Sequence, residues 1–204
     1  MTTAAFVPAK AFGRAKSRLS AVLGEAERAR LARACFSRVI EALSASGRFE
    51  AIFVGTDGDE VESLARALGC DVLRDPSPPR AFSEIVDAAL DAIAARGFDR
   101  ALVVMADLPE ASAGSFEPIF DAGGDVVLVP DAEGLGTSAL LVPLPRRFDT
   151  AFGHHDSGAR NERAARGAGC AVTRAHVPTL ARDVDGPLDL VGRDALYVEG
   201  PRET

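Results

Sequence analysis

The run Ala101-Leu102-Val103-Val104-Met105, followed at once by Ala106-Asp107-Leu108-Pro109, holds five apolar residues without polar alternation and stops at an acid and a proline. A strand with one wet face alternates with period two, whereas a strand covered by helices on both faces reads as an unbroken apolar run. The stretch therefore predicts a buried strand of a mostly parallel sheet, with Asp107 just beyond its carboxyl end.

The same grammar repeats outward from it. Residues 83–95 carry Ile85, Val86, Ala89, Leu90 and Ile93 at helical spacing, and the proline-rich Asp75-Pro76-Ser77-Pro78-Pro79 before them reads as a loop. Further back come a strand at 71–74, a helix at 58–68 stopped by Gly69, a strand at 50–54, a long helix at 25–45 and a first strand at 4–7. Downstream, strands are expected at 125–130, 137–142 and 170–176, with a polar stretch at 153–169 and a closing helix after Asp183-Val184-Asp185. Repeated β-α units imply an α/β fold, a three-layer α/β/α sandwich read as one domain over 1–204. In such folds ligands sit beyond the carboxyl ends of the strands.

Composition narrows the function. The 204 residues are 47% hydrophobic, enough for a sizeable core, and the net charge of −7 lacks the basic footprint of a nucleic-acid binder. The first twenty residues have no signal-peptide apolar stretch, and no run of about 18 apolar residues marks a membrane span. Three scattered cysteines, Cys35, Cys70 and Cys170, suit neither a disulfide framework nor a zinc site. A soluble cytoplasmic protein is expected. Of 23 basic residues only two are lysines, Lys10 and Lys16, both just after the first strand. Arginine bias explains the other 21; two lysines kept six residues apart suggest positions where a compact ammonium is needed.

Three groups of residues carry the chemistry. Lys10, Arg14, Lys16 and Arg18 gather cations in an otherwise acidic chain, as a triphosphate requires, without the glycine pattern of a P-loop; a solvated basic loop is the plain alternative. Asp107 and the pair Asp183 and Asp185 lie far apart in sequence and could converge on a hard cation such as Mg²⁺; Asp107 could instead serve only as a turn residue before Pro109. Gly136, Thr137 and Ser138, with Gly153 and Ser157, offer backbone N–H groups and hydroxyls on loops that can hold a phosphate or carboxylate; taken alone, the group reads as ordinary turn chemistry. His154 and His155 lack a third ligand at a familiar spacing and read as surface residues.

Taken together, Val7-Pro8-Ala9-Lys10, Ala15-Lys16-Ser17-Arg18-Leu19-Ser20, Asp107-Leu108-Pro109, Gly136-Thr137, Phe152-Gly153 with Ser157, and Asp183-Val184-Asp185-x-Pro187-x-Asp189-Leu190 resemble the guanylyltransferases of coenzyme F-420 biosynthesis. The resemblance covers nearly the whole chain. It implies a Rossmann-like nucleotidyltransferase of the molybdenum-cofactor guanylyltransferase type. It further implies transfer of GMP from GTP to 2-phospho-L-lactate, phosphoenolpyruvate or 3-phosphoglycerate, with Mg²⁺ and release of pyrophosphate. On that reading Lys10, Lys16 and Arg18 serve the nucleotide phosphates, and Asp107 and Asp185 hold metal with Asp183 in reserve. Thr137, Ser138, Gly153 and Ser157 lie at the acceptor acid. A homodimer stays open.

Three stretches depart from the family pattern: Arg80-Ala81-Phe82-Ser83 in place of Gly-Leu-Asn, Leu135-Gly136-Thr137-Ser138 in place of Gly-Gly-Thr-Asn, and a 153–157 loop one residue longer. They bear on the base and the acceptor. Two rivals stand beside this reading: a nucleotidyltransferase with a molybdopterin or sugar-phosphate acceptor, and a non-catalytic, receiver-like nucleotide-binding module. A receiver needs a lysine late in the chain, and none follows residue 16.

Overall fold

The computed structural model describes residues 1–76 and 80–197. Ser77, Pro78 and Pro79 of the expected loop, and the part of the expected closing helix beyond Tyr197, lie outside the described residues. Among the described residues seven strands form one sheet: β1 (Thr3–Pro8), β2 (Ala51–Thr56), β3 (Asp71–Arg74), β4 (Arg100–Val104), β5 (Val126–Val129), β6 (Ala139–Pro143) and β7 (Val172–Arg174). Their order is β3-β2-β1-β4-β6-β5-β7. β1 pairs in parallel with β2 and β4, β2 with β3, and β5 with β7; β6 alone runs antiparallel, between β4 and β5.

Successive side chains of a strand point to opposite faces, so each strand feeds two cores. Ala5 and Val7 of β1 face one core, with Leu102 and Val104 of β4, α1 (Glu25–Ser46), α2 (Asp59–Ala67), α4 (Glu117–Asp121) and α6 (Pro178–Ala181). Ala4 and Phe6 face the other, with Ala101 and Val103, α3 (Phe82–Ala94) and α5 (Ser157–Gly167). The three-layer sandwich with a mostly parallel mixed sheet is thus as expected, and β4 is fully buried from Ala101 to Val104 because it is covered on both sides.

Two segments differ from the sequence expectation. The polar stretch 153–169 contains α5, whose buried face is Ser157, Gly158, Asn161 and Ala165. That face has helical spacing but almost no hydrophobicity, so the apolar period that marks a helix is missing. The closing helix is replaced, among the described residues, by two 3-10 turns at Pro187–Leu190 and Asp194–Leu196.

The chain runs outward from β1 through β2 to β3 and then returns across to β4 on the other side of β1. The order reverses between β1 and β4, and crevices open at such switch points, beyond the carboxyl ends of the strands.

Candidate active site

The connection leaving β1 makes two short 3-10 turns, Phe12–Arg14 and Ser17–Leu19, and Lys16 stands between them. Phe12 pins the first turn, its ring edge-on to Phe36 of α1 at 5.7 Å between centroids. Leu19 pins the second, fully buried against Leu31 and Cys35. Between these anchors Lys16 takes φ 57° and ψ 35°, the one non-glycine left-handed residue among the described residues. That backbone costs about 1–2 kcal/mol in an L-residue, so surrounding contacts must hold it.

The contacts are acidic. The Lys16 side chain is 5% exposed, and its Nζ donates to Asp107 Oδ2 at 2.7 Å and to Asp185 Oδ1 at 3.2 Å. Burial works against the ammonium, but Asp107, by charge and hydrogen bond, and then Asp185 outweigh it, and its pKa stands above the ordinary lysine value. Arg18 adds a longer contact, Nη1 to Asp185 Oδ2 at 3.3 Å, from a side chain that is 80% exposed.

Asp183 and Asp185 reach this point because Val184 between them is buried with Leu19, Leu31 and Cys35. The two acids that flank the seated valine both reach Asp107. Asp189 fixes the turn that follows, accepting the N–H groups of Asp185 and Gly186 at 3.1 and 2.7 Å. It is a local capping residue, as its position ahead of Leu190 suggests.

One carboxylate oxygen each of Asp107, Asp183 and Asp185 lies within 4.8 Å of the others. Burial, and then repulsion from Asp107 and Asp185, pushes the Asp183 carboxyl up to about 6. Asp107 Oδ1 is buried and has no hydrogen-bond partner. A cluster of three carboxylates, one of them with a buried oxygen that has no hydrogen-bond partner, fits a hard divalent cation. Asp107 thus stands in this cluster as well as in the turn before Pro109.

A cleft of about 440 Å³ opens beside this cluster, lined by Lys10, Lys16, Asp107 and Asp185 on its charged side and by Phe82 and Ile85 of α3 on its apolar side. Lys10 is exposed and makes no ion pair among the described residues. Gly153 also lines the cleft; it has φ 89°, and a side chain there would meet Phe82 Cβ at 3.3 Å.

The hydroxyl residues form their own group. Ser157 Oγ donates to Thr137 Oγ1 at 3.1 Å, and both residues are buried. Ser138 is buried too, its N–H bonded to Val129 O at 2.9 Å and its carbonyl to the N–H of cleft-lining Met105 at 3.0 Å. His154 and His155 are exposed, as expected.

Lys16, Arg18, Asp107, Asp183 and Asp185 thus come together as one charged cluster; Lys10 and Gly153 share its cleft without touching it. Two residues escaped the sequence reading. Asp75, just after β3, lines the cleft, and burial and then the nearby Asp57 hold its carboxyl above the ordinary range. Asn161 is fully buried and bonded to Thr137. A signal for it existed: it is the single asparagine of a chain that has no glutamine.

Comparison with known proteins follows the same lines. Residues 3–190 match the family described as Guanylyl transferase CofC like. The chain belongs to that family. It is similar to a phosphoenolpyruvate guanylyltransferase of Sphaerobacter thermophilus, 33% identical over 192 residues, covering 93% of this chain and 91% of that protein. A 2-phospho-L-lactate guanylyltransferase of Halomicrobium mukohataei is 35% identical over 193 residues, covering 91% and 86%. A 3-phospho-D-glycerate guanylyltransferase of Phenylobacterium zucineum is 31% identical over 181 residues, covering 87% and 83%. Among solved structures, CMP:2-keto-3-deoxy-manno-octonic acid synthetase complexed with CTP superposes with a TM-score of 0.62 at 14% identity, over 96% of this chain and 98% of that one. The fold is therefore that of the nucleotidyltransferases, and the family is one of guanylyltransferase enzymes. No helix among the described residues is long and apolar enough to cross a membrane.

Proposed function

We propose that this guanylyltransferase transfers GMP from GTP to a small phosphorylated carboxylic acid, of the class formed by 2-phospho-L-lactate, phosphoenolpyruvate and 3-phosphoglycerate, in the biosynthesis of coenzyme F-420. The observation that carries the reading is the convergence of Lys16 with Asp107, Asp183 and Asp185 at the switch point of a nucleotidyltransferase sheet. The names of the homologues supply the acceptor class.

An ionised phosphate oxygen of the acceptor attacks the α-phosphorus of GTP; the new O–P bond forms as the bond to the β-phosphate oxygen breaks, and pyrophosphate leaves as an anion. No protein nucleophile is needed, so catalysis is positioning plus electrostatics. Lys16, held against solvent by its carboxylate partners, is the fixed positive charge for the phosphates. Lys10, exposed at the cleft, and Arg18, exposed and paired with cleft-lining Asp185, are the further cations that would meet the nucleotide phosphates. Asp107, Asp183 and Asp185 would hold Mg²⁺, which when bound neutralises and orients phosphate oxygens. Thr137, Ser138, Ser157 and the backbone at Gly153 would meet the acceptor's acid groups with neutral donors. Three buried free cysteines suit a reducing cytoplasm.

The test is product analysis. The protein, GTP and MgCl₂ are incubated with each of the three acids, and guanylylated product is read by mass spectrometry alongside pyrophosphate release. Product with at least one acid is expected. No product with any of them, but product with a sugar phosphate or molybdopterin, would overturn the acceptor class.

A further inference from the structure

Asn161 sits in the second turn of α5, on the face that α5 buries, and is 0% exposed. A fully buried amide must place both its carbonyl oxygen and its NH₂. The backbone N–H of Ala151 points at it from 2.8 Å and can only donate, so the atom facing Ala151 is the oxygen, Oδ1. That assignment fixes the other end: Nδ2 faces Thr137 Oγ1 at 3.2 Å and donates to it.

Thr137 Oγ1 also receives the hydroxyl of Ser157, at 3.1 Å. A hydroxyl has two acceptor lone pairs and one proton. With both lone pairs engaged, the Thr137 proton is the one hydrogen-bonding capacity left, and among the described residues it has no acceptor. The chain of donation runs in one direction, from the Ala151 N–H to Asn161 and from Asn161 to Thr137, and it leaves the Thr137 proton over.

We propose that Asn161 is a positioning residue that sets the Thr137 hydroxyl as an obligate donor to an ionised oxygen of the acceptor's carboxylate or phosphate. The inference rests on the reading that Thr137 contacts the acceptor. A free threonine hydroxyl would present donor and acceptor faces alike; this one is committed before the ligand arrives. Anionic oxygens, which only accept, are favoured over hydroxyl or amine groups at that point of the ligand. Gly158, one residue after Ser157, packs so closely that an added methyl would stand 2.9 Å from the Leu135 and Gly136 carbonyl oxygens. α5 and the loop carrying Thr137 are thereby kept in register.

The experiment is a double-mutant cycle in the full chain, with steady-state KM measured separately for GTP and for the best acceptor. Asn161→Asp keeps an oxygen for Ala151 but offers Thr137 an acceptor in place of a donor, so the Thr137 proton turns inward. Thr137→Val removes the hydroxyl itself. Asn161→Asp is expected to raise acceptor KM at least about tenfold with GTP KM within about twofold, and to add less than about twofold in the Thr137→Val background. Additive effects, an equal rise in the KM for GTP, or an unchanged acceptor KM would overturn the proposal. If Asn161→Asp does not fold, Asn161→Ala is carried through the same cycle with the same criteria. If Thr137→Val leaves acceptor KM unchanged, the reading of Thr137 as an acceptor contact is what fails.

Discussion

Lys16 Nζ lies 2.7 Å from Asp107 Oδ2, joining the loop after β1 to the turn after β4 across 91 residues of sequence. The lysine has a buried side chain and a left-handed backbone, and it is shared with Asp185. No flexible surface charge has these properties, and they account for a lysine being kept where the chain otherwise uses arginine.

Lys16→Ala is expected to cut kcat/KM about 100-fold or more, the usual cost of losing a preorganised charge contact to a transition state. Lys16→Arg should recover little of it. A planar guanidinium cannot take the place of a compact ammonium whose side chain is 5% exposed between two carboxylates. Steady-state kinetics of both variants, with circular dichroism to confirm folding, decides this; a Lys16→Arg enzyme within about threefold of the parent would refute the geometric part.

Asp107→Asn, Asp183→Asn and Asp185→Asn are each expected to raise the Mg²⁺ concentration needed for half-maximal activity. Asp183→Asn should in addition raise the melting temperature in EDTA. It removes a carboxylate that burial and two like-charged neighbours disfavour, with its pKa at about 6. Thermal melts with and without MgCl₂ test the pair of effects. Undiminished activity in excess EDTA would eliminate the metal role.

Ser138→Asn is expected to change the ranking of the three acids by kcat/KM more than it changes the best rate. Both backbone groups of Ser138 are hydrogen-bonded, one to Val129 and one to Met105, a residue that lines the cleft. A longer amide there would meet a different acceptor oxygen, and such polar mismatches discriminate strongly. Competition assays with mixed acceptors give the ranking directly.

Gly158→Ala is expected to cost about 1–3 kcal/mol of stability, the range for overpacking. Its methyl would stand 2.9 Å from two carbonyl oxygens, neither of which can move without the loop that precedes β6. Urea titration reads the loss. A destabilisation under about 0.3 kcal/mol, well below that overpacking range, would mean that this loop yields freely.

The sequence by itself determined the alternation of strands and helices, because apolar period and continuity are local signals of burial. The apolar run that starts at Ala101 became β4 as far as Val104, and the long amphipathic stretch became α1. Lysine scarcity and strand-end aspartates likewise named the charged residues, and a set of short motifs named the family. Tertiary structure alone decided the rest. The reversed direction of β6 depends on which strands flank it, and its apolar residues look the same in either direction. The meeting of Asp183 and Asp185 with Lys16 depends on Val184 finding a pocket made by Leu19, Leu31 and Cys35, contacts that span most of the chain. α5 was hidden because its inward face is small and polar, and Asn161 because its work is hydrogen bonding, to Ala151 ten residues away and to Thr137 twenty-four away. Burial leaves its mark on composition. The partner of a buried polar group leaves none, since that partner is chosen only when the chain closes around it.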